Sequence, residues 1–342
     1  MLFRSMVALV PDETASALLH AASMPHDTPA ERLMARVNAM LRLRTLHATV
    51  LSRAQMLKAE RNIIADMPDG DPIDDATVLL IGRGRHHPTL STAVGERMGV
   101  MGALSIDAGA HCLNAREVDG IIIGDGLPLG SAEAFMTIVA KDARFRDIPV
   151  GVLGDGIDAP MLPQMTSARD PKVLLQRVLP LIRLRAFETA LKRLLRSIES
   201  KGMIDPRTGL HNIEAFGNSL SRAIEDSGER GVGLSLARFA LEPGNDPRVS
   251  VDAARLVSQL VRGADFASRL PDGSILFAFA DTSLRSAHVA ARRLASVLKH
   301  TMLRSGGRQP VASPSVTLAT LKPRDTLHTL VARVAPRPVA AA

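Results

Sequence analysis

Short apolar runs alternate with helical patterns between residues 75 and 185 of the chain. The apolar runs are Thr77–Ile81, Ala103–Ile106, Gly120–Ile123 and Pro149–Leu153. Most consist of aliphatic residues with little polar alternation, as expected for strands that are buried on both faces. Residues 91–98 and 131–140 lie between them and carry apolar positions at helical spacing. This alternation predicts an α/β fold, a doubly wound parallel sheet with helices on both faces.

A long helix and a region of different pattern follow. Residues 171–200 predict a linker helix in which Pro180 introduces a kink. After Gly202 the predicted elements are a helix to about Asp226, a strand at Val232–Phe239, a helix at Ser250–Val261, two strands within Phe266–Phe279, a helix at Leu284–His300, a strand at Ser315–Ala319 and a helix from Thr326. The two strands meet at Leu270–Gly273, where proline, aspartate and glycine predict a β-turn.

Two helical segments of the chain are similar to one another. Leu33–Leu46 and Leu174–Phe187 share six of fourteen aligned positions, including the run Arg-Leu-Arg. We interpret them as the closing helices of duplicated domains. The alternative is that two amphipathic, arginine-rich helices are similar by chance.

Composition narrows the class of protein. Aromatic residues make up 3% of the chain, with neither Trp nor Tyr, so the core must be built from aliphatic side chains and methionine. The single cysteine, Cys112, excludes an internal disulfide and is typical of a reducing cytoplasm. No apolar run approaches the ~20 residues that span a bilayer, and residues 1–11 contain no signal-peptide pattern. We therefore expect a cytoplasmic protein without a membrane span.

The formal net charge of +7 raises the question of nucleic-acid binding. However, the Arg and Lys residues are spread along predicted helices. They are not interleaved with aromatic residues on which bases could stack. We expect no nucleic-acid partner.

The segment after Gly202 carries a motif that resembles a known family. Residues 205–212 read DPRTGLHN, and Phe216 follows. This resembles D-x-L-T-G-L-x-N-R-x-x-F, the opening of GGDEF domains, which are the catalytic domains of diguanylate cyclases. Six positions fit the motif, namely Asp205, Thr208, Gly209, Leu210, Asn212 and Phe216. Arg207 and Ile213 depart from it. The resemblance extends over residues 203–335 and implies a nucleotide-cyclase-like α+β domain.

The region upstream resembles CheY-like receiver domains, and the tandem layout is similar to PleD-type response regulators. The resemblance implies four parts: a partial receiver-like segment and linker helix at 1–70, a receiver domain at 76–187, a linker helix at 188–202 and a GGDEF domain at 203–335. Residues 1–46 correspond to only the back half of a receiver, with a strand at Met6–Val10, a helix and a closing helix. We expect this piece to pack on the second receiver or on a partner, unless the start codon was placed too late.

The receiver-like region lacks the residues that receivers use for chemistry. In the family, paired acids after the first strand hold Mg²⁺, but here Ile81 is followed by Gly82 and Arg83. The phosphoacceptor aspartate is replaced by Gly124, with Asp125 displaced by one residue. We therefore expect a degenerate receiver that is kept as a dimerisation or docking surface.

The GGDEF-like region departs from its family in the same way. The resemblance places the signature G-G-[DE]-E-F at the hairpin, where this chain has Pro271, Asp272, Gly273, Ser274 and Ile275. Gly273 then replaces the first metal-binding acid, and Ala237 replaces the second, at the end of the first strand. Without these carboxylates we expect no Mg²⁺, no metal cofactor and no catalytic residues.

A binding motif of the family is retained by position. GGDEF domains have a product-binding inhibitory site, R-x-x-D, six residues before the signature, and Arg262-Gly-Ala-Asp265 stands there. Arginine matches phosphate or guanine acceptors, and aspartate accepts from guanine N–H donors. The resemblance adds Arg293 as a phosphate contact and Asn245 as a guanine contact. The alternative for Arg262 and Asp265 is a solvated ion pair at a helix end, worth well under ~1 kcal/mol.

These features favour a non-catalytic signalling regulator that binds cyclic di-GMP at Arg262, Asp265 and Arg293. Its expected partners are other signalling proteins and a second copy of the chain in a homodimer. The first alternative is a structural interaction or dimerisation scaffold without a small ligand. The second is an active diguanylate cyclase, which would form cyclic di-GMP from two GTP molecules.

Overall fold

The computed structural model describes residues 7–10, 22–25, 30–61, 71–154, 162–241, 247–301 and 314–336. The chain divides into two compact units, the first ending at Lys192 and the second beginning at Arg193. No helix in these ranges is both long and apolar enough to cross a membrane.

The first unit begins with two short strands and a long helix. Strands β1 (Val7–Val10) and β2 (Ala22–Pro25) pair in parallel, and helix α1 spans Ala30–Arg61. The first predicted strand is confirmed, whereas β2 was not predicted and α1 continues well past Leu46. The helix expected between the strand and the closing helix falls outside the described residues.

The rest of this unit is built on a five-stranded parallel sheet. Its strands are β3 (Thr77–Ile81), β4 (Gly99–Ala103), β5 (Gly120–Ile123), β6 (Val150–Leu153) and β7 (Met165–Ala168). They lie in the order β4-β3-β5-β6-β7 with every pair parallel, which is the flavodoxin-like doubly wound order. The predicted parallel sheet is therefore confirmed.

Helices and aliphatic side chains complete the first unit. The helices that accompany the sheet are α2 (His87–Gly95), α3 (Ile106–Ala115), α4 (Leu129–Lys141) and α5 (Pro171–Glu199). In the core, Leu80 and Ile122 of the sheet belong to one buried cluster with Leu174 and Val178 of α5. Helix α5 continues through Pro180.

Three details of this sheet differ from the sequence prediction. The apolar segment Ala103–Ile106 is not a strand, because β4 ends at its first residue and Ser105 caps α3 by accepting a 3.2 Å hydrogen bond from the amide of Ala108. Helix α2 begins before residue 91, since Pro88 fits the first helical turn. Strand β7, with the sequence MTSA, was not predicted, because polar residues interrupt its apolar pattern.

The second unit contains a four-stranded antiparallel sheet of order β11-β8-β10-β9. Its strands are β8 (Ser235–Ala240), β9 (Phe266–Arg269), β10 (Ile275–Phe279) and β11 (Ser315–Thr320). Its helices are α6 (Ile213–Arg230), α7 (Pro247–Leu260), α8 (Leu284–Thr301) and α9 (Leu327–Val334). The element order predicted for this region is confirmed.

Helices cover both faces of the antiparallel sheet. On one face, α7 and α8 pack against Ala237, Phe239 and Phe277. On the other face, α6 and α9 pack against Leu236 and Leu276. Neighbouring residues of a strand thus point into different cores, as the pleat of a β-strand requires. The predicted signature and binding residues lie mainly on connections around this layered structure.

Candidate functional site

The turn between β9 and β10 and the first residue of β10 contain the predicted signature positions Pro271–Ile275. The amide of Leu270 donates to the carbonyl oxygen of Ser274 at 2.8 Å, and that of Gly273 donates to the carbonyl oxygen of Leu270 at 2.9 Å. Asp272 Oδ1 accepts from the amide of Ser274 at 3.0 Å and from its hydroxyl at 2.6 Å. Gly273 has a φ of +83°, which favours glycine. The segment is therefore a hydrogen-bonded turn, as its Pro-Asp-Gly sequence predicts.

Arg238 on β8 forms an ion pair with Asp272. The Arg238 side chain is 11% exposed, whereas that of Asp272 is about half exposed. Burial works to raise the pKa of Asp272, but hydrogen bonds from Ser274 and the charge of Arg238 outweigh it and hold this pKa below its ordinary value. The carboxylate is therefore ionised at neutral pH and is neutralised by an internal cation.

The two positions at which the sequence predicts a loss of metal ligands supply no side-chain oxygen. Ala237 is fully buried and pairs with Phe277 of β10 and Leu318 of β11, and Gly273 has no side chain. Within the described ranges, no group of three or more His, Cys, Asp or Glu residues could hold a metal ion. Mg²⁺ requires oxygen ligands, so the residues at these positions do not fit it.

A cavity of about 540 Å³ lies beside α8, near the end of α7 and the start of β9. Arg262, Asp265 and Arg293 all line it, so the structure brings together the three residues that were predicted to bind a ligand. Its apolar lining includes Phe277 and Phe279, whose ring centroids lie 4.5 Å apart. Both rings are nearly buried, and the exposed apolar lining is formed by residues such as Leu260 and Val289. Guanidinium groups beside apolar surface can bind an anionic ligand that has flat apolar parts.

Asp265 is held in place by the end of β10. Its Oδ1 accepts a hydrogen bond from the amide of Ala280 at 3.1 Å, and its own amide donates to the carbonyl oxygen of Arg262 at 3.0 Å. Burial raises the pKa of this half-buried carboxyl, against the opposing effects of the Ala280 hydrogen bond and the charge of Arg262. The second carboxylate oxygen makes no hydrogen bond within the described part of the chain and can accept from a ligand.

Arg285 is a further charged residue of the cavity, and sequence reasoning missed it. Like Arg262 and Arg293, it is exposed. None of these three arginines forms an ion pair or a side-chain hydrogen bond with the residues that the structure describes. Arg285 and Arg293 lie on α8 with Val289 midway between them. This four-residue spacing is the signal that would have identified Arg285.

The opening motif of the GGDEF-like region forms the turn that leads into α6. Thr208 Oγ1 donates to Asp205 Oδ2 at 2.6 Å. Asn212 caps α6, because its side-chain oxygen accepts from the amide of Ala215 at 2.7 Å. These motif residues have local structural roles and do not line the cavity.

In the first unit, Gly124 and Asp125 follow β5. The Asp125 carboxylate accepts from the amide of His86 at 3.3 Å, and its other oxygen lies 3.0 Å from Nδ1 of the same histidine. A Cβ atom at Gly84 would lie 2.2 Å from Asp125 Cγ, so the carboxylate fits there because residue 84 is glycine. Asp125 thus joins two loops at the carboxyl edge of the parallel sheet.

Asn245, the predicted guanine contact, lies within residues 242–246, which are outside the described part of the chain. Its role stays a prediction.

Neither models of protein families nor curated proteins matched the chain. Among solved structures, it is similar to a sensory box/GGDEF family protein from Caulobacter crescentus, at 21% identity over 39% of this chain and 92% of that chain, with a TM-score of 0.34. The coiled coil and GGDEF domain of DgcB from Caulobacter crescentus, in complex with c-di-GMP, is 19% identical over 42% and 82% of the two chains (TM-score 0.36). The FimX GGDEF domain from Pseudomonas aeruginosa is 19% identical over 39% and 88% (TM-score 0.35). These structural neighbours are GGDEF domains.

Proposed function

We propose that this protein is a non-catalytic signalling regulator that binds cyclic di-GMP through a degenerate GGDEF domain at residues 203–335. One observation carries the proposal. The cavity brings Arg262, Asp265 and Arg293 together, while the metal-ligand positions of the fold are occupied by Ala237 and Gly273. The domain therefore has groups that can bind a ligand in the cavity, but it lacks the groups that GTP condensation needs at the other two positions.

The chemistry of the cavity suits this ligand. Arg262 and Arg293 offer planar guanidinium groups that match phosphodiester oxygens or the acceptor edge of guanine. The second oxygen of Asp265 accepts from guanine N–H donors while Oδ1 stays on the Ala280 amide. Leu260 and Val289, which are both exposed, supply apolar surface against which a flat base can lie.

Isothermal titration of the full chain with cyclic di-GMP tests the proposal. We expect saturable binding in the micromolar range or tighter, about −8 kcal/mol or better. Arg262→Ala should weaken binding by roughly tenfold or more. The matched control is Arg292→Ala, which removes an exposed arginine of α8 outside the cavity and should leave the affinity unchanged.

Absence of binding by the wild-type chain, or equal binding by Arg262→Ala, would refute the proposal. Incubation with GTP and Mg²⁺ should yield no cyclic di-GMP. Formation of the product would support an active diguanylate cyclase instead.

The upstream region at 76–187 is, in this proposal, a degenerate receiver that serves as a docking or dimerisation surface in the cytoplasm. Leu129 at 54% and Ile138 at 65% exposure are large apolar side chains on different sides of α4, and contact with another protein would bury them. They also favour a second candidate function, a scaffold without a small ligand. Sedimentation with and without cyclic di-GMP separates the two, because the scaffold predicts an association state that the ligand does not change.

A further inference from the structure

One side of α8 carries arginines along the wall of the cavity. Arg285, Val289 and Arg293 follow each other at intervals of four residues, which places them on one face of the helix. All three are exposed and line the cavity. At ~1.5 Å of rise per residue, Arg285 and Arg293 are separated by about 12 Å along the helix axis. The two guanidinium groups can therefore reach different parts of one ligand.

Neither core packing nor helix stability explains why an arginine stands at position 285. The face of α8 that packs into the core consists of Ala287, Ala291, Leu294 and Leu298. Arg285 lies in the first turn of α8, where the helix dipole disfavours a positive charge, and that turn contains no acidic residue. Its side chain has no hydrogen-bond or ion-pair partner in the described part of the chain. The position is therefore explained better by a ligand than by the fold.

The charges around the cavity indicate what kind of ligand this is. Its lining contains three arginines, Arg262, Arg285 and Arg293, and a single acidic residue, Asp265. With the aspartate ionised, two positive charges remain uncompensated. A cyclic dinucleotide carries two phosphodiester groups, each with one negative charge, and so matches this excess. A cyclic mononucleotide carries only one.

We propose that Arg285 binds the second phosphodiester of a cyclic dinucleotide and makes the cavity select ligands with two phosphodiester groups over ligands with one. This inference rests on the proposed function and adds a residue and a basis for selectivity to the same site. Arg262 and Asp265 engage one guanine and its neighbouring phosphate, and Arg285 forms charge-assisted hydrogen bonds to the phosphate at the other end.

The test compares two ligands on variants of the full chain. Titration with cyclic di-GMP measures binding of two phosphodiesters, and competition by cyclic GMP measures binding of one. Arg285→Ala should weaken cyclic di-GMP binding about tenfold, as expected for a charged hydrogen bond at an exposed site. The affinity of the Arg285→Ala variant for cyclic GMP should differ from that of the wild type by less than about twofold. The effect of the substitution on cyclic di-GMP binding should shrink as the salt concentration is raised.

Control variants separate this inference from the proposed function. Arg292→Ala should bind both ligands as the wild type does, and Arg285→Lys should retain part of the affinity because it keeps the charge. If Arg285→Ala binds cyclic di-GMP normally while Arg262→Ala does not, the role of Arg285 is refuted and the proposed function stands. If Arg285→Ala weakens both ligands equally, the selectivity is refuted. If the wild type binds neither ligand, both proposals fail.

Discussion

The carboxylate of Asp272 is surrounded by hydrogen-bond donors, namely the amide and hydroxyl of Ser274 and the guanidinium of Arg238. Arg238 belongs to the neighbouring strand and pairs with Asp272 without an external ligand. A Mg²⁺ ion at the same carboxylate would first have to lose tightly held water. Neither Ala237 nor Gly273 contributes a second carboxylate. The internal cation therefore stabilises the turn.

Replacing Asp272 should destabilise the second unit. Asp272→Ala leaves the mostly buried Arg238 without its partner and removes an acceptor from Ser274, at a cost of about 1–2 kcal/mol in the free energy of unfolding. Urea denaturation measures the change, and Glu225→Ala, at an exposed position of α6, is the control. Because the pKa of Asp272 is lowered, its contribution is lost as pH falls through that lowered value. Equal stability of both variants at neutral pH would contradict the prediction.

Ligand binding should depend on the protonation of Asp265. Burial raises the pKa of this carboxyl, and guanine N–H donors bind its ionised form. Affinity for cyclic di-GMP should therefore fall on acidification, beginning at a pH above the ordinary aspartate range. Asp265→Asn should bind more weakly and show a flat profile over the same range in titration calorimetry. A wild-type profile that the substitution leaves unaltered would show that another group titrates.

Among the elements, the β9–β10 hairpin depends on the backbone of one residue. Gly273 has a φ of +83°, and a Cβ atom there would lie 3.2 Å from Ser250 Cβ on α7. Gly273→Ala should therefore lower the free energy of unfolding by about 1–2 kcal/mol. Gly217→Ala is the matched control, since this helical glycine has open space around it and alanine should stabilise α6 by up to ~1 kcal/mol. Loss of stability in both variants, measured by thermal unfolding, would argue against a specific role of the turn.

The two similar helices of the first unit, α1 and α5, face each other across a cleft. Met40 and Leu43 of α1 line it together with Leu181 and Leu184, which are the corresponding positions of the repeat in α5. Arg36 lies in the same cleft. It is almost fully buried, and burial lowers its pKa to about 10. Its Nε and one terminal nitrogen have no hydrogen-bond partner among the residues that the structure describes.

Removing this buried charge should stabilise the first unit. Arg36→Met keeps an extended side chain and eliminates the cost of burying an uncompensated cation, so the free energy of unfolding should rise by about 1–3 kcal/mol. Arg44→Met changes an exposed arginine of the same helix and should have little effect. Denaturant unfolding distinguishes them, and a destabilised Arg36→Met would contradict the prediction.

Sequence reasoning locates an element most accurately where a single hydrophobic pattern covers its whole length. Strands β3 and β5 were predicted to the residue because TVLLI and GIII are continuous apolar runs. Strand β4 has two glycines, and β7 has two polar residues, so their place in the sheet depends on neighbours that are distant in sequence. Arg262 and Asp265 could be singled out from their position before the hairpin. Arg285 shares a face of α8 with Arg293, which its spacing indicates, but its proximity to Arg262 and Asp265 depends on how α8 packs against the sheet.

At the scale of the whole molecule, all residues that line the cavity beside α8 belong to the second unit. A ligand that binds only the folded state stabilises the unit that holds it. At a ligand concentration of 100 times Kd, this stabilisation is about 2.7 kcal/mol, or roughly a hundredfold slowing of amide exchange through global opening of that unit. Exchange of the first unit should remain unchanged.

Hydrogen exchange measured by mass spectrometry on the full chain tests this separation. With saturating cyclic di-GMP, peptides from α7, β9, β10 and α8 should gain protection, and peptides from the parallel sheet should not. Arg262→Ala should show neither effect at the same ligand concentration. Protection that spreads to β3 and β5 would contradict the prediction that the ligand stabilises the second unit alone. It would require that part of the free energy of ligand binding stabilise the first unit as well. In that case the two units would be energetically coupled, and the exposed apolar residues of the parallel-sheet unit would become the surface on which ligand-dependent partner binding should be sought.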